Sequence, residues 1–536
     1  MTGIKAVNEW DTPLTLLAKQ DTKKWYQKPK LRCLYFVVFF ATFTANWASG
    51  YDSAVMNSVQ ELDSWIKYFD NPVGERLGLI MALYSLGALC SIPFVPVLSH
   101  RYGRRTSIRL ACYIMCLGAG LQAGARNLPM FLAARWILGF GVPFALNNGA
   151  TLVAELAHPN DRATITSFLP PSWSVGAVIA AGVVFATASS PSLKASDWSW
   201  RIPSALQALP SIIQLVAVHF CPESPRWLLS KDRVGDAFGV LSEYHGEGVR
   251  GAEFVRIEYA QIESTLAEEK KMSQSTFVWG DVFRDAPMRK RFALAALIGL
   301  FTQWSGNALL SFYTGKILHI IGINDPRTVQ MIIFGWTCWG LVVGTSVATL
   351  ISPRYPRRTM FLMGTIGTGV VYIVWTIANA KAQTGSPKAV IPVLVFMFMY
   401  TPFYTLGWGS LTYTYLSELF PFHQRPQGIA VQQSTGRIAQ FLNSYVNPIA
   451  LGSIGWKYYI VYCVWIAVEA LTVYFFFPET KDRTLEELAF MWEGDAVWSK
   501  VRERMDVSMG MQLHELGTIP EEGDDNLERV TNDTTA

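Results

Sequence analysis

The sequence predicts an all-α membrane protein of twelve transmembrane helices arranged as two six-helix bundles. Three observations carry the prediction. Only 16% of the 536 residues are charged while 51% are hydrophobic, whereas a soluble chain carries about a quarter charged residues. The apolar residues fall into twelve runs, each near the roughly 20 residues that a helix needs to cross a hydrocarbon core. One polar stretch, 222–291, divides the runs six and six, and short motifs recur on either side of it.

In chain order the first six runs are 34–52, 77–98, 110–124, 128–154, 163–193 and 202–221. The second six are 292–315, 328–353, 359–380, 389–417, 428–455 and 458–478. Lipid cannot satisfy free backbone N–H and C=O groups, so such runs must be helices or closed barrels, and their length without strict alternation excludes barrels. Residues 1–32 mix Asp, Lys and Pro and lead straight into the first run, so that helix is expected to be its own insertion signal. The expected parts are a tail over 1–32, a first bundle over 33–221, a linker over 222–291, a second bundle over 292–478 and a tail over 479–536.

The linker carries two weakly amphipathic helical patterns, 234–244 and 254–267, suited to lying on the membrane face of the protein. The tails lack periodicity apart from a short helical pattern near 485–492. Basic residues cluster at 23–32, 101–109, 226–233, 284–291 and 354–358, which is positive-inside bias and no nucleic-acid footprint, despite the net charge of +4. That bias puts both termini and the linker in the cytoplasm and the 54–76 loop outside, with the plasma membrane as the expected location. The sequon at Asn532 then stays inside and unglycosylated. Seven cysteines at or within the spans are expected as buried thiols without a disulfide framework.

The repeats tie the halves together. Arg101-Tyr102-Gly103-Arg104-Arg105-Thr106 returns as Arg354-Tyr355-Pro356-Arg357-Arg358-Thr359, Glu155 with Arg162 as Glu418 with Arg425, and Pro222-Glu223 as Pro478-Glu479. Offsets of 253, 263 and 256 keep the order parallel, as two like-oriented bundles require.

With Gly50-Tyr51-Asp52, Arg135-x-x-x-Gly139-x-Gly141, Pro222-Glu223-Ser224-Pro225-Arg226 and Pro478-Glu479-Thr480-Lys481, the chain resembles the sugar porters of the major facilitator superfamily over about residues 30–490. Tyr51-Asp52-Ser53, Trp200-Arg201-Ile202-Pro203, Asn447-Pro448-Ile449-Ala450 and Gly455-Trp456-Lys457-Tyr458-Tyr459 resemble the fungal branch of lactose permeases, cellodextrin and hexose transporters. The resemblance implies the major facilitator fold and secondary active transport of a sugar-like solute by alternating access, in a protein that works as a monomer with the solute, protons and the bilayer as its partners. It also implies proton symport through Asp52 with Arg135 as its switch partner, and a sugar-stacking role for Trp408. Departures are His100 and Pro353 where the family places Asp, Thr302 and Ala308 where it offers a Gln and an Asn to sugar hydroxyls, and Pro170 where a Gln is expected. These favour a disaccharide or modified sugar over a plain hexose. The alternatives are an acidic or specialised metabolite, or a non-transporting sugar sensor on the same scaffold.

The residues themselves point the same way. A charge near the bilayer centre normally faces a cavity or a partner, and four in-span residues qualify: Asp52, Arg135, Arg437 and Glu469. Gln433, Arg437, Gln440, Ser444 and Asn447 fall on one helical face, as do Gln303, Asn307, Ser311 and Thr314, and the aromatic series Tyr404, Trp408, Thr412 and Tyr415. Gln303, Asn307, Trp408, Gln433, Arg437 and Gln440 are therefore the expected substrate-binding residues. Arg437 has as its expected partner a substrate carboxylate, or else Glu469 or a backbone carbonyl. Glu155 and Glu418 are expected to pair with Arg104, Arg105, Arg357 or Arg358 in a cytoplasmic gate that also includes Arg162, Glu223, Arg226 and Arg425. Catalytic constellations, metal-ligand spacings and cofactor loops find no support, so neither an enzyme nor a cofactor is expected. Gly139-Phe140-Gly141 reads as close helix packing.

Overall fold

The computed structural model describes residues 23–249, 253–274, 286–351, 354–383, 387–420 and 425–480. The helical pattern near 485–492, Pro353 and Asn532 lie outside the described residues. Among the described residues all regular structure is helical. Nine helical stretches are long and apolar enough to cross a membrane, and Glu75–Ser91 with Phe94–Tyr102, bent by 50°, makes one more. Gln427–Phe476 turns at Gly455–Lys457 and supplies two crossings. Arg104–Ala123 completes the twelve, its first turns carrying the basic motif.

The first half thus comprises Pro29–Val59, the bent pair, Arg104–Ala123, Leu128–Leu156, Leu169–Ser189 and Trp198–Phe220 as spans one to six. The second comprises Ala286–Ile320, Pro326–Ser346, Arg357–Gln383, Val390–Leu416, Arg425–Ile454 and Tyr458–Phe476 as spans seven to twelve. Span one outruns the expected 34–52 because its polar continuation faces protein: Asn57 and Ser58 are buried, and the Ser58 carbonyl accepts from Gln330 Nε2 of the other half at 2.8 Å. Span five starts late, at Leu169, because Pro170 and Pro171 are suited to a first helical turn and not to an interior.

Close backbone approach holds the first half. Gly139 packs on the Tyr84 carbonyl and Gly87 on that of Trp136, joining spans two and four, while Gly50 and Gly176 do the same for spans one and five against Trp173 and Trp47. Any side chain there would collide with backbone, which is how small residues substitute for a hydrophobic driving force in lipid. The linker folds as Pro225–Ser230, Val234–Tyr244 and Glu253–Gln274. Its helices tie to the start of span one, where Leu31 N–H donates to Glu247 at 3.2 Å, and to the end of span four, where the Leu156 carbonyl lies 3.2 Å from His245 Nε2. The seven cysteines are all free thiols, but Cys33 and Cys90 face outward from the bundle, correcting the expectation that all are buried. A thiol on an apolar helix face tolerates lipid as it tolerates a core.

A polar cavity between the halves

The two halves meet mainly at the end that carries the 60–75 loop. There Glu61 Oε2 lies 2.6 Å from His319 Nε2, Gln60 Nε2 donates to the Phe312 carbonyl at 2.5 Å, and Gly78 sits on the Tyr445 carbonyl. At the opposite end, which carries the basic motifs, the described charge contacts stay within each half. Toward that end an apolar cleft of about 800 Å³ separates spans one and five from Leu341 and Thr345 of span eight.

Between the halves lies a cavity of about 240 Å³. Span one contributes Ser49 and Ser53, span two Tyr84 and span five Trp173; the second half contributes Gln303, Asn307, Ser311, Phe312, Tyr413, Gln432, Gln433, Gly436, Arg437 and Gln440. Five of the six expected substrate-binding residues are therefore brought together, and Trp408 is not. Trp408 is 1% exposed and packs with Phe301, Phe361 and Phe477 in a hydrophobic cluster of the second half. The reason lies one turn earlier. Thr405–Gly409 is a π-helical turn, whose wider spacing advances the helix face, so counting in fours from Tyr404 fails across it. Tyr413 reaches the cavity instead of Thr412, which is buried and bonds back to the Trp408 carbonyl at 2.7 Å.

On span eleven the expected face splits. Gln433, Arg437 and Gln440 line the cavity, whereas Ser444 and Asn447 are buried, Asn447 Oδ1 accepting from Tyr458 and Tyr462 at 2.9 and 2.8 Å. Arg437 Nη1 donates to Gln440 Oε1 at 3.0 Å, and no carboxylate lies within ion-pair distance of Arg437 among the described residues. Glu469 is not its partner: Glu469 Oε2 lies 2.7 Å from Ser305 Oγ. The Arg437 guanidinium instead faces the phenols of Tyr84 and Tyr413.

Span seven reaches the cavity through a break. Ala286–Trp304 ends and Asn307–Ile320 begins around Gly306, which takes φ +90°, a left-handed setting that glycine alone adopts freely. Gln303 and Asn307 flank the break on the cavity side. Carbonyls freed by it must be satisfied inside the protein. Tyr404 donates to the Thr302 carbonyl at 2.8 Å, Asn443 to Gln303 at 2.9 Å, Tyr400 to Ser305 at 3.3 Å and Tyr372 to Gly306 at 3.1 Å. Thr314, expected on the cavity face, is buried and bonds to the Leu310 carbonyl.

Asp52 and Arg135 lie beside the cavity, both buried, behind the lining residue Tyr84. Gln207 Nε2 donates to Asp52 Oδ1, and Asp52 Oδ2 has no protein partner. The Arg135 guanidinium stands 4.8 Å over the Tyr84 ring, with Nε and Nη1 also without partners. The two charges attract one another but do not close to an ion pair.

At the basic end the repeats become matched contacts. Arg104 grips Glu155 through Nε and Nη2 at 3.1 and 3.0 Å, and Arg357 reaches Glu418 Oε1 at 3.3 and 3.2 Å. Glu223 accepts from the backbone N–H groups of Arg104 and Arg105 at 3.1 and 3.2 Å, and Glu479 from those of Arg357 and Arg358 at 2.9 and 3.1 Å. A carboxylate on the first N–H groups of a helix also meets the positive end of its dipole. The Arg105 and Arg358 side chains take backbone carbonyls, of Val218 and His219 and of Tyr474. Arg162 is exposed, Arg226 half-buried, and the Arg425 side chain lies outside what is described.

Sequence reasoning did not single out Ser49, Tyr84, Trp173, Tyr413 or Gln432 for the cavity, nor Gln207 beside Asp52, nor Glu61 with His319. Only Gln207 and Glu61 gave a signal, as polar residues in or just after apolar runs.

Twelve spans in two like-oriented halves with a polar cavity at their interface define a multi-pass membrane transporter of the major facilitator fold. The family model described as "Sugar (and other) transporter" matches residues 37–492, and the chain belongs to that family of transporters of sugars and related solutes. It is 27% identical over 447 residues to the MFS-type transporter criB of Aspergillus cristatus, covering 83% of this chain and 90% of that one. It is 25% identical to a high-affinity glucose transporter of Kluyveromyces lactis, covering 87% of each. To a probable quinate permease of Aspergillus clavatus it is 27% identical, covering 87% and 88%. The inward-open xylose transporter XylE from E. coli shares the fold at TM-score 0.70 and 22% identity, over 86% of this chain and all of that one.

Proposed function

We propose that this chain moves a polyhydroxylated ring solute through the central cavity by alternating access, coupled to a proton carried at Asp52. The observation that carries the reading is the convergence of Gln303, Asn307, Gln433 and Gln440 from spans seven and eleven on a cavity shared with Ser49, Ser53 and Tyr84 of the other half. Amides and hydroxyls that both donate and accept suit sugar hydroxyls, and Trp173 offers an apolar ring to the C–H face of a pyranose. Thr302, Ala308 and Pro170 stand where similar transporters present sugar-binding amides, which favours a disaccharide or modified sugar over a plain hexose.

Coupling follows from Asp52 and Arg135. A carboxylate out of water is stabilised as an ion by a near guanidinium and as the neutral acid when that guanidinium withdraws. Movement of span one against span four that changes the separation of Asp52 and Arg135 as the halves rock therefore loads and releases a proton. One proton moving down a pH step of one unit supplies about 1.4 kcal/mol, and a potential of 100 mV about 2.3 more, enough to concentrate a neutral solute several-hundred-fold. The Arg104–Glu155 and Arg357–Glu418 contacts serve as the gate at the basic end, with Arg105, Arg162, Glu223, Arg226, Arg358 and Arg425 around them. Positive-inside bias supports a cytoplasmic setting for that end, and the reading takes the protein as a monomer at the plasma membrane.

Arg437 supports a second reading. A cavity cation with only an amide partner suits a carboxylate, so a hydroxylated ring acid is the rival solute. Counterflow by the purified chain in proteoliposomes, run against mono- and disaccharides, polyols and sugar acids, separates the two. Exchange of neutral disaccharides supports the first reading and exchange confined to acids the second. Exchange of none points to a sensor.

A further inference from the structure

Glu469 is fully buried in span twelve, and the functional reading above gives it no task. Its setting is unlike that of the gate carboxylates. From span seven it meets Ser305; the titratable groups facing it are Tyr372 of span nine and Tyr400 and Tyr404 of span ten, with the Trp465 indole one turn back on its own span. No Lys, Arg or His is within ion-pair distance of it among the described residues, and its Oε1 meets no donor at hydrogen-bond geometry, with the Trp465 indole standing near.

Ser305 decides how the proton is shared. Its Oγ lies 2.6 Å from the Phe301 carbonyl and 2.7 Å from Glu469 Oε2. A hydroxyl has one proton to donate and can accept from others, while a carboxylate has none and a neutral carboxylic acid has one. Two full two-centre hydrogen bonds at these short distances, rather than one proton shared between two acceptors, require that Ser305 donates to the carbonyl and the acid donates to Ser305. A bare carboxylate without a cation in this buried site would cost several kcal/mol.

Repeat symmetry puts this contact opposite the coupling site. Ser305 follows Asp52 by 253 residues, the offset of the basic motifs, and Glu469 follows Gln207 by 262. In the first half the acid is on the first span and its hydrogen-bonding neighbour on the sixth; in the second half the roles are exchanged. Ser305 is also the residue at the break of span seven, directly before Gly306 and between the cavity residues Gln303 and Asn307.

The geometry points to Glu469 as a second proton-holding group, neutral in this state and donating Oε2–H to Ser305 Oγ, which makes it a positioning residue for the break that aims Gln303 and Asn307 at the solute. The second clause rests on the cavity being the solute site; the protonation does not.

The test is infrared spectroscopy of the purified full chain in lipid vesicles at neutral pH, without solute. The account expects a deuterium-sensitive carboxylic-acid C=O band that survives Asp52→Asn and is lost in Glu469→Gln. The amide of Glu469→Gln can still donate to Ser305, so its melting temperature should match wild type while Glu469→Ala falls. An acid band unchanged in Glu469→Gln overturns the proposal, as does a melting temperature that falls as far in Glu469→Gln as in Glu469→Ala. Where Glu469→Gln does not fold, Ser305→Ala takes its place, and the band must move as the acid loses its acceptor; a band that stays fixed overturns the proposal. None of these readouts involves transport, so they stand or fall apart from the solute assignment.

Discussion

Glu61 and His319, 258 residues apart in sequence, meet at 2.6 Å across the interface of the two halves, with Lys316 Nζ at 3.9 Å from the same carboxylate. Glu61 is almost wholly buried and Gly315 packs directly on its side chain. At the basic end the corresponding charges pair inside each half. The contact that must break for the loop end to open is therefore a charged one, and the opposite end lacks an equivalent between the halves among the described contacts.

Glu61→Gln should accordingly raise the population open at the loop end. Loss of a charge-assisted hydrogen bond worth about 1.5–3 kcal/mol shifts the equilibrium on the order of ten- to hundred-fold. Spin labels at Lys67→Cys and Arg327→Cys, with Cys33 and Cys90 replaced by Ser, read the separation. A distance distribution unchanged by Glu61→Gln would remove the latch role.

Arg437 separates the two solute readings. If it binds a carboxylate, Arg437→Gln weakens acids by about 1.5–3 kcal/mol, roughly ten- to hundred-fold in affinity, and leaves neutral sugars alone. If it only orders Gln440, at 3.0 Å, both classes weaken together and modestly. Competition counterflow with matched neutral and acidic sugars distinguishes these outcomes.

The linker should dock in a pH-dependent way. Burial alone would push the His245 imidazole down, but the Glu258 carboxylate at 2.7 Å and the Leu156 carbonyl outweigh it and hold it above its ordinary value. Burial would push Glu258 up, and His245 more than offsets that and holds it below the usual carboxylate range. The imidazole's contribution is complete below its unfolded value, near 6.5, and is lost as pH rises through the higher folded value; the carboxylate's is present above about 4.3 and lost as pH falls through the lower folded value. Protection of Glu253–Gln274 from proteolysis should therefore be greatest between those limits and fall in alkali. His245→Phe should flatten the alkaline limb, and an unaltered limb would contradict the assignment.

The twelve-span fold and the charge contacts at the basic end were legible because each rests on a local pattern. Apolar run length marks a span, and a repeated Arg-Arg with a distant Glu marks contacts such as Arg104 with Glu155 and Arg357 with Glu418. The cavity was half legible. Gln433, Arg437 and Gln440 follow regular helical spacing, and so the count holds. Tyr413 does not, since the π turn Thr405–Gly409 lies between it and Tyr404. The break at Ser305 and Gly306 has no proline to announce it; it is held by Tyr372, Tyr400, Tyr404 and Asn443 from three other spans, which only tertiary packing brings near. The pairing of Glu61 with His319 is invisible for the same reason.

The central claim, that a proton at Asp52 drives solute accumulation through this cavity, is tested most directly by Asp52→Asn in proteoliposomes under an imposed proton gradient. An amide cannot carry the proton, yet it keeps the shape that Gln207 and Tyr84 surround. The account predicts that solute accumulation against its gradient is lost while counterflow exchange of the same solute is retained. Uphill uptake by Asp52→Asn equal to that of the wild type would contradict it.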